Sequence, residues 1–408
     1  MYWRRVADLP GWLKAVMLGQ LVSSAGSLAW IYFTLYLVED RGMSPQDAGF
    51  AAAAYGVGLL LGNLSGGWFG DRFGLRGAAV ASQLTWALAC LAMPVVPLGG
   101  LAVLAAVAGL CGGASRPNLS ALVALALPAE RRREGIALSR SASNAGFAIG
   151  PPLGGLLAAY DFKLVFVLDA LSSVVLAAVI WRYVPSATRV AATARVSGVW
   201  RALRADKSVL VLLGSIVVID TVYRQLYSTL PLVLHDAGSP AVAYGVLLGL
   251  SSVVIVLLEA PLAIRLRNHH ASRVIAVGFA LVAAGLAALG VWPFLLGAGL
   301  AVALITAGEM LYKPTATAQA VDAAPDGMTG RFSSLYAAAS ISGMTLAPAL
   351  GGTTYQHHPQ LLYPLAAALA LAAAATTYLA GRRPVVPAMP PVEALDGPPS
   401  ELRAPRSS

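Results

Sequence analysis

Charge is scarce in this sequence. Lysine, arginine, aspartate and glutamate make up 12% of 408 residues, against about 25% in soluble proteins. With 58% hydrophobic residues, that shortage excludes the two or three soluble domains this length would ordinarily form. Cysteine is almost absent too. Cys90 and Cys111 both fall inside apolar runs; they read as buried free thiols, too few for a disulfide framework or a zinc site. No P-loop occurs, which removes ATP-driven pumping, and there is no His/Glu metal constellation, nucleophile elbow or kinase motif. His269-His270 and His357-His358 read as solvated loop pairs. The expectation is a protein that is not an enzyme, with neither cofactor nor metal. The N-terminal stretch has no cleavage pattern of small residues, so its first apolar run reads as a retained helix.

What the sequence has instead is long apolar runs. Several reach the roughly 20 residues that cross a bilayer as a helix, and they do not alternate as barrel strands would. Runs and breakers place twelve spans near 13–38, 47–69, 78–97, 99–127, 135–158, 162–181, 208–234, 242–264, 273–292, 294–319, 331–355 and 361–381. The expected organisation is an all-α membrane protein of two pseudo-symmetric six-helix bundles. Residues 1–181 form the first bundle, 182–207 a cytoplasmic linker, 208–381 the second bundle, and 382–408 a Pro-rich tail expected to be disordered. A short amphipathic helix is expected in the linker around 199–203.

The net charge of +9 is a topology signal. Of 28 basic residues, only Arg41 and Lys163 fall beside odd-numbered loops, and Arg116, Arg224 and Lys313 lie within spans. The rest sit with the even-numbered loops and the termini, in clusters such as Arg131-Arg132-Arg133. The positive-inside rule makes that side cytoplasmic. Nucleic-acid binding does not fit this pattern; a cell-membrane location and a monomer are expected.

The halves repeat. A shift of 197 sets Arg116-Pro117 on Lys313-Pro314, Pro151 on Pro348 and Gly154-Gly155 on Gly351-Gly352; a shift of 195 sets Gly19, Tyr32, Thr34 and Leu35 on Gly214, Tyr227, Thr229 and Leu230. Two like halves around a midplane cavity are a solution for alternating access.

Two motifs stand out. Span two runs into Gly66-Gly67-Trp68-Phe69-Gly70-Asp71-Arg72-Phe73-Gly74-Leu75-Arg76. Its glycines allow close packing and a tight turn, and Asp71, Arg72 and Arg76 can latch neighbouring helix ends; the plainer reading is a hairpin with topogenic charges. Span five carries Gly146-Phe147-Ala148-Ile149-Gly150-Pro151-Pro152-Leu153-Gly154-Gly155, where proline kinks and glycine permits tight contact. The first stretch resembles the signature loop between helices two and three of the major facilitator superfamily, with Gly67, Asp71, Arg72, Gly74 and Arg76 at signature positions. Leu75 and Gly77 depart from it, and the second half has Leu266 where the acid would repeat. The second stretch is similar to the superfamily's fifth-helix antiporter motif, with Gly146, Gly150, Pro151, Gly154 and Gly155. The resemblance spans about 13–381 and implies a twelve-helix transporter of the drug:proton antiporter-like branch. The antiporter motif favours efflux. The first span has no acid before Glu39, unlike many drug exporters, which argues against a cationic drug.

Ionisable residues within spans are expensive in lipid and are site candidates: Arg116, Asp169, Asp220, Arg224, Glu259, Glu309 and Lys313. Asp220/Arg224 and Glu309/Lys313 are each four apart, on one helical face, so each pair either neutralises itself or responds to substrate and protons. Asp220 and Glu309 are the proton-coupling candidates. Arg116, Arg224, Lys313, Tyr32 and Tyr227 are candidates for the substrate cavity, with Tyr36, Tyr223, Gln225 and Tyr312 beside them. Asp169 and Glu259 read as structural. The functional expectation is proton-coupled efflux of a small organic molecule. Uptake by a symporter or uniporter is the alternative, and a non-transporting sensor or scaffold a remote one.

Overall fold

The computed structural model describes residues 9–125, 132–184, 203, 207–266, 268–325 and 328–381. Twelve long helical segments follow one another: α1 (Gly11–Gly26 and Ala29–Glu39), α2 (Pro45–Phe73), α3 (Leu75–Ala92), α4 (Leu98–Leu125), α5 (Arg132–Tyr160) and α6 (Phe162–Tyr183). The second half comprises α7 (Lys207–Tyr223, Gln225–Ser228 and Leu230–Asp236), α8 (Ala241–Leu266), α9 (Ala271–Val291), α10 (Leu295–Asp322), α11 (Thr329–His357) and α12 (Pro359–Ala380). Ten are long and apolar enough to cross a membrane. The two that fall short of that apolarity are α5 and α11, repeat-related helices whose Ser-, Gly- and Pro-rich faces turn towards other protein. The expected disordered tail lies outside the described residues, as does the linker helix apart from Leu203. Leu203 is buried with Val209 and Phe332.

Local chemistry sets the ends. Ser44 caps α2 by accepting the Asp47 N–H at 3.1 Å, with Pro45 in the first turn, a position that needs no amide donor. Asp161 caps α6 through the Lys163 N–H at 2.8 Å. Gly74 alone separates α2 from α3, at φ +78°, a left-handed backbone that only glycine adopts without strain.

The sequence reading placed α1 and α7 as continuous spans, and both are broken. In α1 the break falls at Ser27-Leu28, after a run of small residues that presses Gly26 onto Ser172 of α6. In α7 the helix stops after Tyr223, tightens so that the Arg224 carbonyl accepts from Tyr227 N–H at 2.9 Å, and breaks again at Thr229. Pro231, two residues on, has no amide hydrogen to continue the ladder. The shift of 195 sets Ser27-Leu28 on Val222-Tyr223, beside the first of the two α7 breaks.

Within the first half α2 packs on α4, α3 on α6 and α1 on α5 and α6; within the second, α9 packs on α10 and α12 and α7 on α11 and α12. The halves meet through α2 against α11 and α5 against α8, a pair of contacts that the repeat interchanges. A side chain on Gly49 would fall on the Pro348 carbonyl, one on Gly352 on the Pro45 carbonyl, and one on Gly245 on the Pro151 carbonyl. Backbones therefore touch across the interface, as small residues allow in membranes. All these contacts lie at the end carrying the odd-numbered loops. The same end is tied by Glu39–His235 at 2.8 Å, Tyr355 donating to Asp236 at 2.5 Å, and Gln46 bonded to Gln356 and His357 at 3.0 and 2.8 Å. Among the described residues the halves are joined there, and the space between them widens towards the even-loop end.

Candidate functional site

Between the halves lies a cavity of about 930 Å³, at the upper end of ordinary ligand pockets. It runs from the seal towards the ends of α8 and α10, where Glu259 and Asp322 line it. The first half contributes neutral surface: Ser24, Ser27, Trp30, Tyr55, Ser143 and Asn144. Among the described residues, the ionisable carboxylates and cations of the wall all come from the second half.

These charges gather where α7 breaks. Lys313 donates to Glu309 at 2.5 Å, one turn apart on α10, with side chains 30% and 16% exposed. Tyr223 donates to the other Glu309 oxygen at 2.7 Å. Its ring lies 4.1 Å beneath the Lys313 ammonium, and its hydroxyl meets that of Tyr227 at 3.3 Å. Arg224, the residue at the break, also lines the cavity. Asp220 does not pair with it. Its carboxylate is fully buried and accepts from Tyr312 at 2.6 Å and from Ser340. The Arg224 N–H still donates to the Asp220 carbonyl at 3.1 Å, so the two residues remain one helical turn apart, but the Asp220 carboxylate is taken by hydroxyls and the second acid–base pair of the sequence reading is not formed.

The other candidates are distributed as follows. Tyr32 is buried, donates to the Pro151 carbonyl at 2.6 Å and serves the seal. Tyr36 is bonded at the odd-loop end through Arg41 and the Met93 carbonyl. Gln225 donates to the Ala347 carbonyl at 3.0 Å. Gly146, Gly150 and Gly154 bring α5 against α1, while Pro151 and Gly155 face α8. The motif is thus a two-sided packing surface. Asp169 binds the N–H groups of Leu28 and Ala29, each at 2.9 Å, and Trp86 Nε1 at 2.8 Å. It caps the helix that restarts after the α1 break. The side chains of Asp71 and Arg116 lie outside what the structure describes. Arg72 stacks near Trp68, and Arg76 donates to the Trp181 carbonyl with its guanidinium 4.5 Å from that ring.

Sequence reasoning overlooked Ser340, Tyr336, Trp30 and Tyr55. The repeat held a signal for one of them, because the shift of 197 sets Ser340 on Ser143 and both line the cavity. Trp30 and Tyr55 stack with centroids 4.1 Å apart, a pairing across helices that no spacing announces.

The family model of the Major Facilitator Superfamily matches residues 16–348. The chain belongs to the major facilitator superfamily. It is 24% identical over 360 residues to the uncharacterized MFS-type transporter YttB of Bacillus subtilis (strain 168), covering 86% of this chain and 90% of that one. Partial matches are the gallate transporter of Pseudomonas putida, 32% over 161 residues (38% and 34% of the two chains), and the multidrug efflux pump Tap of Mycolicibacterium fortuitum, 31% over 161 residues (36% and 39%). A crystal structure of the peptide transporter POT superposes with a TM-score of 0.78 at 14% identity, over 93% of this chain and 97% of that one. As a superfamily member with this fold, the protein is a multi-pass membrane transporter rather than an enzyme. In the stretch that resembles the signature loop, Gly74 is the one-residue turn between α2 and α3, and in the fifth-helix stretch Pro151 and Gly155 pack across to α8.

Proposed function

We propose that this protein is a secondary active transporter that exports a small organic molecule in exchange for protons by alternating access. The observation that carries this reading is a cavity between two repeat-related halves, sealed at the odd-loop end and, among the described residues, open towards the other. At its inner end stands a carboxylate bonded to a lysine and a tyrosine, and behind Ser340 of the wall lies a second, fully buried carboxylate bonded to hydroxyls. Basic residues concentrate at the open end, which makes that end cytoplasmic and this state inward-open. The reading places the protein in the cell membrane with both termini inside, as a monomer. Glu309 and Asp220 carry the proton: a carboxyl reached by water from one side and then the other takes it up and gives it off. Asp71, with Arg72 and Arg76, latches the cytoplasmic surface between turnovers. The fifth-helix motif and the partial likeness to Tap favour export; the likeness to the gallate transporter keeps uptake as the second reading, since the same geometry runs either way.

The test uses proteoliposomes with an imposed pH gradient and a panel of solutes. The parent protein exchanges at least one solute for protons, and the direction of flux separates export from uptake. Glu309→Gln and Asp220→Asn retain exchange of solute between equal pools while losing acceleration by the gradient, by tenfold or more. Gradient-driven transport at parental rates in both variants refutes the proton assignment.

A further inference from the structure

Two donors on the cavity wall have no acceptor among the described residues. Arg224 Nε and Trp30 Nε1 are buried without an acceptor, and they line the cavity from opposite halves. Of the unpartnered buried polar atoms among the described residues, these are the two whose side chains belong to the cavity. Both groups donate and neither accepts. A guanidinium is charged at any working pH, and a buried donor without an acceptor costs stability unless something supplies one. The missing partner is therefore an acceptor, and charge makes it an anion.

The neighbouring acids are bonded to other groups than Arg224. Lys313 is neutralised by Glu309. Asp220, one turn before Arg224 in sequence, is fully buried, and its two oxygens are taken by Tyr312 and Ser340. No carboxylate among the described residues is paired with Arg224. The other acids of the wall, Glu259 and Asp322, stand nearer the open end; Asp322 lies about 13 Å along α10 from Lys313 at 1.5 Å per residue. The cations Lys313 and Arg224 and the acids Glu309 and Asp220 balance in number, but the Asp220 oxygens are taken by hydroxyls, so the Arg224 guanidinium is the cation of the inner end that has no carboxylate bonded to it among the described residues; it stands with tyrosine hydroxyls in a cavity that the stacked Trp30 and Tyr55 rings also line.

We propose that the cavity takes a small organic anion, a carboxylate with a flat apolar or aromatic body. Its carboxylate bonds the Arg224 guanidinium, whose fork matches two oxygens at once, and its body lies against Trp30 and Tyr55 with the indole N–H as a further donor. This inference deepens the transport reading of the same site and does not depend on direction or coupling.

Binding is measured on purified protein in detergent, without any gradient, using benzoate and 4-hydroxybenzoate, their neutral amides, and tetraphenylphosphonium as the cation. Thermal stabilisation and tryptophan fluorescence report occupancy. The parent binds the carboxylates at least tenfold more tightly than the amides. Arg224→Gln, checked for parental melting in the absence of ligand, weakens the carboxylates at least tenfold and leaves the amides unchanged. Arg224→Lys recovers part of the difference. Trp30→Phe weakens both classes severalfold. Equal binding of acids and amides by the parent overturns the proposal without recourse to a variant. Selective binding of the cation, or no binding of any carboxylate, also overturns it. Because the assay needs no transport, a failed exchange experiment leaves this result standing, and a failed binding experiment leaves proton exchange of another solute standing.

Discussion

Asp169 looks from the sequence like a costly acid in an apolar helix. In the fold it completes another helix. The α1 break leaves the first amides of the restarted segment without intrahelical acceptors, and the Asp169 carboxylate accepts two of them and the Trp86 indole. One residue therefore joins α1, α3 and α6 around the place where α1 bends. Asp169→Ala strands two buried backbone donors and a half-buried indole N–H and should destabilise the protein by about 2–4 kcal/mol, read as a fall in melting temperature in detergent. Asp169→Asn keeps one acceptor oxygen and should lose less. A melting temperature unchanged in the alanine variant would remove the capping role. The acid itself was legible as a structural one. What it caps was not, because seeing that requires knowing that α1 stops at Ser27, and hydropathy does not register a backbone break within an apolar run.

At the scale of elements, the glycines and prolines of α5 and α8 set how closely the halves approach. Gly245 sits on the Pro151 carbonyl, and Tyr32 closes the same spot from α1. Gly245→Leu forces α8 away from α5 at the odd-loop end. Overpacking of this kind costs about 1–3 kcal/mol, and each 1.4 kcal/mol shifts a two-state ratio tenfold. The variant should move the population away from the inward-open state by roughly tenfold or more. Spin labels at Tyr160 and Ser239, on the α5 end and the loop before α8, should show the longer distance gaining population. A distribution identical to the parent's would mean that the contact does not bias the equilibrium. The motif on α5 was plain in the sequence, as were the twelve spans and the register of the repeat, because hydropathy and glycine spacing are properties of one helix. The partners Gly245 and Gly49 were not, since a glycine's importance there depends on the carbonyl facing it from another helix. The same reason hid the loss of the Asp220–Arg224 pair. Spacing of four put them one turn apart, but the hydroxyls that take the Asp220 carboxylate come from Tyr312 on α10 and Ser340 on α11, which that spacing does not register.

At the scale of the whole molecule, alternating access requires the two interface regions to trade states. In this conformation the polar ties of the odd-loop end are formed, while among the described residues the cavity is open opposite them. The ties are individually weak, because surface ion pairs contribute about 0–1 kcal/mol, and that suits a seal that must open on every cycle. Replacing Glu39 and His235 by cysteines and joining them with a short cleavable bis-thiol reagent makes one tie permanent. Cys90 and Cys111 are replaced by serine or alanine first, so that only the introduced pair reacts. The joined protein should keep binding from the open end at parental affinity, since the cavity residues are untouched. Its exchange across the membrane should fall at least tenfold, and cleaving the reagent should restore it. Full exchange by the joined protein would show that the odd-loop end need not separate, and rigid-body alternation of the halves would then have to give way to another route for the solute. Lost binding as well as lost exchange would place the defect in the fold, so the binding measurement decides which conclusion the flux supports.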